Sequence, residues 1–227
     1  MNILRMFENP VGFMISLLFV LPAILIALTL HELAHGYVAW KLGDPTAKWM
    51  GRLSLNPLKH LDPIGTFMLI FAGFGWAKPV PVDSRYFKNR RRDIFLVSVA
   101  GVTTNLVLCI ISYTLYLTLK HFVLNSAIAN EHYAVFLQIL TTFLQILARF
   151  NAILFIFNLL PIPPLDGFHV LNDCILKRPM YLDQRVMQLG FVALLVFVLS
   201  GLAQIVIGGA VEGILGGITW VFNAIFL

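Results

Sequence analysis

Long apolar segments separated by short polar connections make up this chain of 227 residues. The first apolar segment runs from about Val11 to Trp40, and three more cover Ile94–Leu119, Tyr133–Leu160 and Val186–Ile207. A glycine-rich segment, residues 208–227, closes the chain. A helix of about 20 apolar residues crosses the hydrocarbon core of a bilayer. The pattern therefore predicts an all-α polytopic membrane protein with five or six membrane helices.

One apolar piece is too short to cross a membrane. It covers Ile64–Ala77, only 14 residues, and three glycines interrupt it. Residues 78–82 follow and read K-P-V-P-V, where the two prolines exclude a helix or a central strand. We therefore expect a short re-entrant or extended element near residues 64–82, packed inside the protein.

The composition excludes a soluble domain as the main body of the protein. Hydrophobic residues make up 59% of the chain, charged residues only 12%, and the mean hydropathy is +0.86. A core surrounded by water could not bury so much apolar surface. We expect one membrane-embedded domain over residues 1–227, with its core over about 13–170 and C-terminal helices over about 186–227.

The basic residues are concentrated in three connections between the apolar segments. Residues 41–62, 78–93 and 161–185 contain thirteen of the sixteen Lys and Arg residues. Because basic residues accumulate in cytoplasmic loops, these connections are predicted to face the cytoplasm. Topology then explains the net charge of +5 without a nucleic acid partner. The predicted location is the cell (inner or plasma) membrane, which the chain crosses several times.

The clearest candidate for chemistry is the sequence H-E-L-A-H at residues 31–35, which follows a charge-free run. On a helix His31 and His35 share one face, so both imidazoles can bind the same metal ion. Glu32 points about 100° away from His31 and can take a proton from a metal-activated water. Ionisable residues inside membrane segments are costly and are usually functional. The spacing therefore predicts a Zn²⁺ site with Glu32 as a catalytic base.

A catalytic zinc needs a third protein ligand, and the sequence offers several. Asp166 is best placed, because the proline-rich break before it ends the helix and can aim the carboxylate back toward the other helices. His169, three residues later, could share a face with Asp166. His60 and Asp62 are further candidates, although turn and capping hydrogen bonds would also account for them.

Two motifs resemble those of the site-2 proteases, a family of intramembrane zinc metalloproteases. The first is H-E-L-A-H at 31–35, and the second is N-L-L-P-I-P-P-L-D-G at 158–167, which matches N-x-x-P-x-P-x-L-D-G at every fixed position. Residues 51–57 and 62–66 also resemble the compact bacterial branch, which has no PDZ or nucleotide-sensing domain. The resemblance covers roughly residues 13–170.

The resemblance implies a zinc-dependent protease that cuts transmembrane segments within the lipid bilayer. It implies that Asp166 is the third ligand of Zn²⁺ beside His31 and His35, and that Glu32 is the general base. It also implies that an extended segment, about residues 72–82, lies beside a transmembrane protein substrate. The active site is then expected near the cytoplasmic side.

Two asparagines are candidates for contacts with the substrate or the oxyanion. Asn158 belongs to the second motif, and Asn105 ends the sequence A-G-V-T-T-N at 100–105, which lacks the proline of the family's A-G-P-x-x-N pattern. Side-chain amides can hydrogen-bond a substrate backbone or stabilise an oxyanion. Interhelical hydrogen bonding is the alternative for both residues.

A metal transporter or another non-proteolytic metal-binding membrane protein is the alternative function, because such proteins also gather histidine and carboxylate at broken helices. Against it, a transport site would not need Glu32 free of the metal.

Near the C-terminus, Gly209, Gly213 and Gly217 line one helical face, which predicts close packing against another helix. The sequence assigns no oligomeric state.

Overall fold

The computed structural model describes residues 8–72, 75–122, 131–175 and 184–226. The helices in chain order are α1 (Pro10–Lys41), α2 (Thr46–Trp49), α3 (Pro63–Ala72), α4 (Arg90–Phe122), α5 (Glu131–Leu159), α6 (Asp166–His169), α7 (Gln184–Leu199) and α8 (Leu202–Phe226). Single 3₁₀ turns cover Pro57–Lys59 and Ser84–Tyr86, and a π-helical turn, Val170–Ile175, continues α6.

Four of these helices, α1, α4, α5 and α8, are long and apolar enough to cross a membrane, and α7 is a shorter apolar helix of 16 residues. The prediction of an all-α polytopic membrane protein is confirmed. The predicted element near residues 64–82 consists of the ten-residue helix α3 and an extended stretch from residue 75. Residues 73–74 of that element lie outside the described residues, as do residues 123–130 and 176–183 of two polar connections.

Helix α1 has clear signals at both ends. The Asn9 side chain accepts a hydrogen bond from the Gly12 N–H at 2.9 Å, and Pro10 occupies the first helical position, where no N–H is needed. The helix ends before Gly43, whose φ of +109° favours glycine. Its 32 residues allow a full membrane crossing, with the segment 31–35 about two to three turns before the C-terminal end.

Helices α1, α4 and α5 pack against one another, and α8 packs on α4 and α5. The last contact is a cluster in which Ile207, Val211 and Leu215 of α8 meet Cys109 of α4 and Ala152 of α5. The spacing of four residues along α8 places these side chains on one helical face. The helical core therefore supports the segment 31–35 from the side of α4 and α5.

The prediction that the apolar segment Val186–Ile207 forms a single helix is wrong. The chain breaks at Ser200 and Gly201, where Gly201 has a φ of +80°, so that α7 ends and α8 begins there. A residue without a Cβ adopts this conformation at little cost, and it interrupts the helix. The glycine-rich segment is thus the main part of a long helix.

The predicted packing of the glycine face of α8 is also wrong within the described residues. A Cβ added at Gly209, Gly213 or Gly217 would meet no heavy atom within 4 Å. The helix instead packs through its branched and aliphatic face. Glu212, beside the glycines, pairs with Arg149 of α5 at 2.8 Å, which gives each charge a partner at the edge of this open face.

An extended stretch, residues 75–83, crosses the end of α1 and is here called the arm. Its first part pairs with the segment after α2, because Leu61 and Ala77 form an antiparallel bridge and the Lys78 N–H donates to the His60 carbonyl at 2.9 Å. Its other end is held by the buried carboxylate of Asp44, which accepts from the Asp83 N–H at 2.7 Å. The arm is thereby fixed at both ends beside the segment 31–35.

Candidate metal centre

Three side chains predicted as metal ligands come together between α1 and α6. The Nε2 atoms of His31 and His35 lie 3.0 Å apart, and Asp166 Oδ2 lies 3.3 Å from the first and 3.2 Å from the second. Both histidines are buried, and Asp166 is partly buried. This is the one group of potential ligands of this kind among the residues that the structure describes.

Local sequence explains how each of the three side chains reaches the site. The histidines lie one turn apart on α1, as their spacing of four requires. Asp166 is the first residue of α6 and follows the proline-rich break. Gly167 permits the sharp return of the chain, because a Cβ there would lie 2.2 Å from the Leu159 carbonyl oxygen at the end of α5.

The donor set fits a tetrahedral zinc ion. Ligand atoms about 2.0–2.1 Å from a tetrahedral metal are about 3.3 Å from one another, which is close to the three measured separations. The Nδ1 of His35 lies 2.7 Å from the Val97 carbonyl oxygen, an acceptor only, so Nδ1 carries the proton and Nε2 presents a lone pair. Asp166 Oδ2 is buried and accepts no hydrogen bond within the described part of the chain. Such a group of converging electron-pair donors is suited to binding a cation.

Helix α4 approaches the two imidazoles unusually closely, and a glycine makes this possible. A Cβ at Gly101 would lie 2.3 Å from His35 Nε2 and 2.7 Å from His31 Cε1. Val97, Gly101 and Asn105 recur every four residues and therefore lie along one face of α4. The Val97 carbonyl accepts a hydrogen bond from His35, and the Asn105 amide oxygen accepts one from His31. Gly101 lies between them and has no side chain that would collide with the imidazoles.

Glu32 lies in a cavity of about 710 Å³ that also contains His31, His35 and Asp166. One oxygen of its carboxylate accepts a hydrogen bond from the Val80 N–H of the arm at 2.7 Å. Gly36, one turn later on α1, leaves room for the Val80 side chain, which a Cβ there would meet at 2.9 Å. The carboxylate is therefore held beside the three potential ligands without joining them.

The two candidate asparagines occupy different positions. Asn158 lines the cavity, and its Nδ2 donates to the Leu154 carbonyl at 3.0 Å. Asn105 has no exposed surface, and its Oδ1 lies 2.5 Å from His31 Nδ1, on the side of the imidazole away from Asp166. The structure thus brings Asn158, but not Asn105, to the cavity wall.

The other candidate ligands lie apart from the three-residue group. His169 lines the cavity without joining the group. His60 is buried with its Nε2 2.8 Å from the Ser54 carbonyl oxygen, and Asp62 accepts from the Gly65 N–H at 2.8 Å near the start of α3.

Two residues near the metal centre, Gly101 and Asn151, were not predicted from the sequence. Gly101 could have been identified from its spacing of four residues from Asn105, which places both on one helical face. For Asn151 the sequence gives no signal except a polar residue in an apolar helix.

Comparison with known proteins gives a family match over most of the chain. The sequence model of a protein family, described as "Peptidase family M50", matches residues 19–200. The protein named "Putative zinc metalloprotease YwhC" from Bacillus subtilis (strain 168) is 40% identical over 203 residues, which is 89% of this chain and 90% of that relative. No solved structure matches this chain.

Longer relatives share a smaller part of their length. The protein named "Putative zinc metalloprotease Rip2" from Mycolicibacterium smegmatis is 33% identical over 172 residues, covering 72% of this chain and 60% of the relative. The protein of the same name from Mycobacterium tuberculosis (strain H37Rv) is 33% identical over 156 residues, covering 65% of this chain and 53% of the relative.

Proposed function

Because this chain belongs to peptidase family M50, we propose that it is a zinc-dependent endopeptidase that hydrolyses peptide bonds within the transmembrane segments of other membrane proteins. One observation carries the proposal. Three side chains suited to zinc and a separate carboxylate, Glu32, line one cavity that lies beside helices long enough to cross a membrane.

In this mechanism His31, His35 and Asp166 hold the zinc ion, and Glu32 moves the proton. When bound, zinc lowers the pKa of a coordinated water toward about 7 and polarises the scissile carbonyl. Glu32 accepts the proton from the attacking water and then donates it to the departing amine, as general acid–base catalysis requires. The Val80 N–H keeps the carboxylate turned toward the cavity during both transfers.

Asn158 is the proposed contact for the substrate backbone. It lies on the cavity wall, and its Nδ2 bond to the Leu154 carbonyl fixes the direction of the amide. The amide oxygen and the second N–H can then hydrogen-bond an unwound substrate segment. This interaction would position the scissile peptide bond, which contributes to the rate by restricting its orientation.

We place the site toward the cytoplasmic side of the membrane. The histidines lie near the end of α1 from which the basic connections depart, and basic connections face the cytoplasm. A substrate helix must open before its peptide bonds can reach the cavity. Helix-breaking residues lower that cost by about 1 kcal/mol for Gly and about 3 kcal/mol for Pro. A single-span protein cut near its cytoplasmic end is the expected substrate.

The geometry favours a protease over a metal transporter. A transport site must bind and then release its ion, and it has no use for a carboxylate held beside the ligands by a backbone N–H. Glu32 occupies that position here. Hydrolysis needs both the metal ligands and such a base.

The test is cleavage of a single-span model substrate by the purified protein in lipid vesicles, with the cut mapped by mass spectrometry. Wild-type protein is expected to cut within the span, and Glu32→Gln should lower the rate about 10²–10⁴-fold while keeping its zinc. Zinc-loaded wild-type protein that leaves every such substrate intact, or a Glu32→Gln variant as active as wild type, would contradict the proposal.

A further inference from the structure

Two fully buried asparagines, Asn105 of α4 and Asn151 of α5, lie behind the metal centre. We infer that Asn151, acting through Asn105, fixes the tautomer of His31 that leaves Nε2 available to the metal. Both asparagines are then positioning residues that touch neither the metal nor the substrate. The inference rests on the proposed function only in taking zinc as the metal that His31 binds.

The hydrogen bonds fix the orientation of each side-chain amide in turn, beginning at a backbone carbonyl. Asn151 Nδ2 donates to the Leu147 carbonyl at 2.8 Å, so Asn151 Oδ1 is the atom that faces Asn105. Asn105 must therefore present its Nδ2, which donates to Asn151 Oδ1 at 2.9 Å and lies farther, at 3.5 Å, from the Ala27 carbonyl oxygen. The Asn105 Oδ1 then faces His31 Nδ1 at 2.5 Å, and the imidazole has to donate. With its proton on Nδ1, a neutral His31 has a lone pair on Nε2.

The two histidines differ in how firmly this tautomer is specified. His35 Nδ1 faces the Val97 carbonyl, which can only accept. His31 Nδ1 faces a side-chain amide, which could present either its oxygen or its nitrogen. An Asn105 turned the other way would offer an N–H to His31, favour the proton on Nε2 and block metal binding. Asn151 Oδ1, which is the nearer acceptor to Asn105 Nδ2, holds the amide in the orientation that turns its oxygen toward His31.

Partners of this kind, which orient a metal-binding histidine, commonly change metal affinity by 10–100-fold when they are lost. The test measures zinc affinity of the metal-free protein in detergent by competition with a chromophoric chelator. In Asn151→Leu, which is similar in size, the Asn105 amide loses its fixed direction, and the zinc Kd should rise 10–100-fold. In Asn151→Asp the buried carboxyl group is expected to be protonated, so that it can donate to the Leu147 carbonyl and still accept from Asn105, and the Kd should stay within about threefold of wild type.

A double variant separates positioning from a general packing role. In Asn151→Leu/Asn105→Asp, residue 105 is an acceptor in either orientation, so it accepts from His31 Nδ1 without help from residue 151. Zinc affinity should return to within about threefold of wild type. The matched control is Thr141→Val, which removes a buried hydroxyl of α5 that donates, like Asn151, to the carbonyl four residues earlier, and its zinc Kd should be unchanged.

Two outcomes would overturn the inference. One is an Asn151→Leu protein with unchanged zinc affinity, and the other is a loss of affinity that Asn105→Asp does not restore. If Asn151→Leu does not yield folded protein, Asn151→Val replaces it with the same expectations. Tight zinc binding by wild-type protein that cuts no substrate would refute the proposed function and leave this inference standing.

Discussion

Two glycines in membrane helices of this protein have opposite surroundings. Gly101 of α4 faces both histidines, so that a Cβ would lie 2.3 Å from His35 Nε2. Gly213 of α8 belongs to a face where a Cβ would meet no heavy atom within 4 Å. The first glycine permits close contact with the metal centre, whereas the second contacts nothing in the described part of the molecule. Helical glycines thus acquire a role from what approaches them and not from their spacing.

Among substitutions that do not replace a metal ligand or Glu32, the largest effect is expected from Gly101→Ala. The added methyl would overlap both imidazoles at distances that side chains do not tolerate, so α4 must shift or the histidines must leave their positions. Zinc affinity should fall at least 100-fold, with activity falling in parallel, measured by chelator competition and by cleavage of a model substrate. The matched control is Gly209→Ala on the open face of α8, which should bind zinc like wild type.

Wild-type zinc affinity in Gly101→Ala would show that the face of α4 does not constrain the histidines. The two glycine faces would then have to be treated as equivalent.

An intermediate effect is expected from the arm, the non-helical wall of the cavity, which donates a hydrogen bond to Glu32. Val80→Pro removes the N–H that donates to Glu32 at 2.7 Å. A hydrogen bond to a charged group contributes about 1.5–3 kcal/mol, so the cleavage rate should fall tenfold or more. Zinc content should not change, because the metal ligands lie on helices α1 and α6.

Val80→Ala is the control for this prediction, because it keeps the N–H and should lose less activity than Val80→Pro. Equal losses in the two variants would assign the effect to the side chain. A rate that rises in Val80→Pro would mean that the arm restrains Glu32 rather than orienting it.

The smallest effect is expected from Gly213→Leu. The side chain would enter open space, and leucine is favoured over glycine in a helix by about 0.5–1 kcal/mol. Thermal unfolding in detergent should give a midpoint equal to or slightly above that of wild type, with unchanged zinc content. A clear loss of stability would indicate that another molecule packs on the glycine face.

Much of the fold could be predicted from the sequence because membrane helices have a strong signal. The apolar segments located α1, α4 and α5, and the spacing of His31 and His35 placed them on one face. The break at Gly201 was missed, since a glycine between two apolar stretches has no distinct signature until its φ is known. Hydropathy likewise could not show which face of α8 meets α4 and α5.

The residues of the candidate site also fall into those that the sequence could predict and those that it could not. Local motifs identified His31, Glu32, His35 and Asp166 as candidates, because their chemistry is specified by short sequence patterns. Asn151 lies 46 residues from Asn105, and their contact depends on how α4 and α5 pack. No local pattern carries that information. Partners that orient the ligands therefore became visible only in three dimensions.

In the proposed site His31, His35 and Asp166 hold one zinc ion, whereas Glu32 is not a ligand. The most direct measurement is the zinc content per chain of purified wild-type, His31→Ala, Asp166→Ala and Glu32→Gln proteins, each checked for folding. We predict one zinc per chain in wild type and Glu32→Gln, and near-complete loss in His31→Ala and Asp166→Ala. Full zinc in a folded Asp166→Ala protein, or loss of zinc in Glu32→Gln, would show that these ligand assignments are wrong.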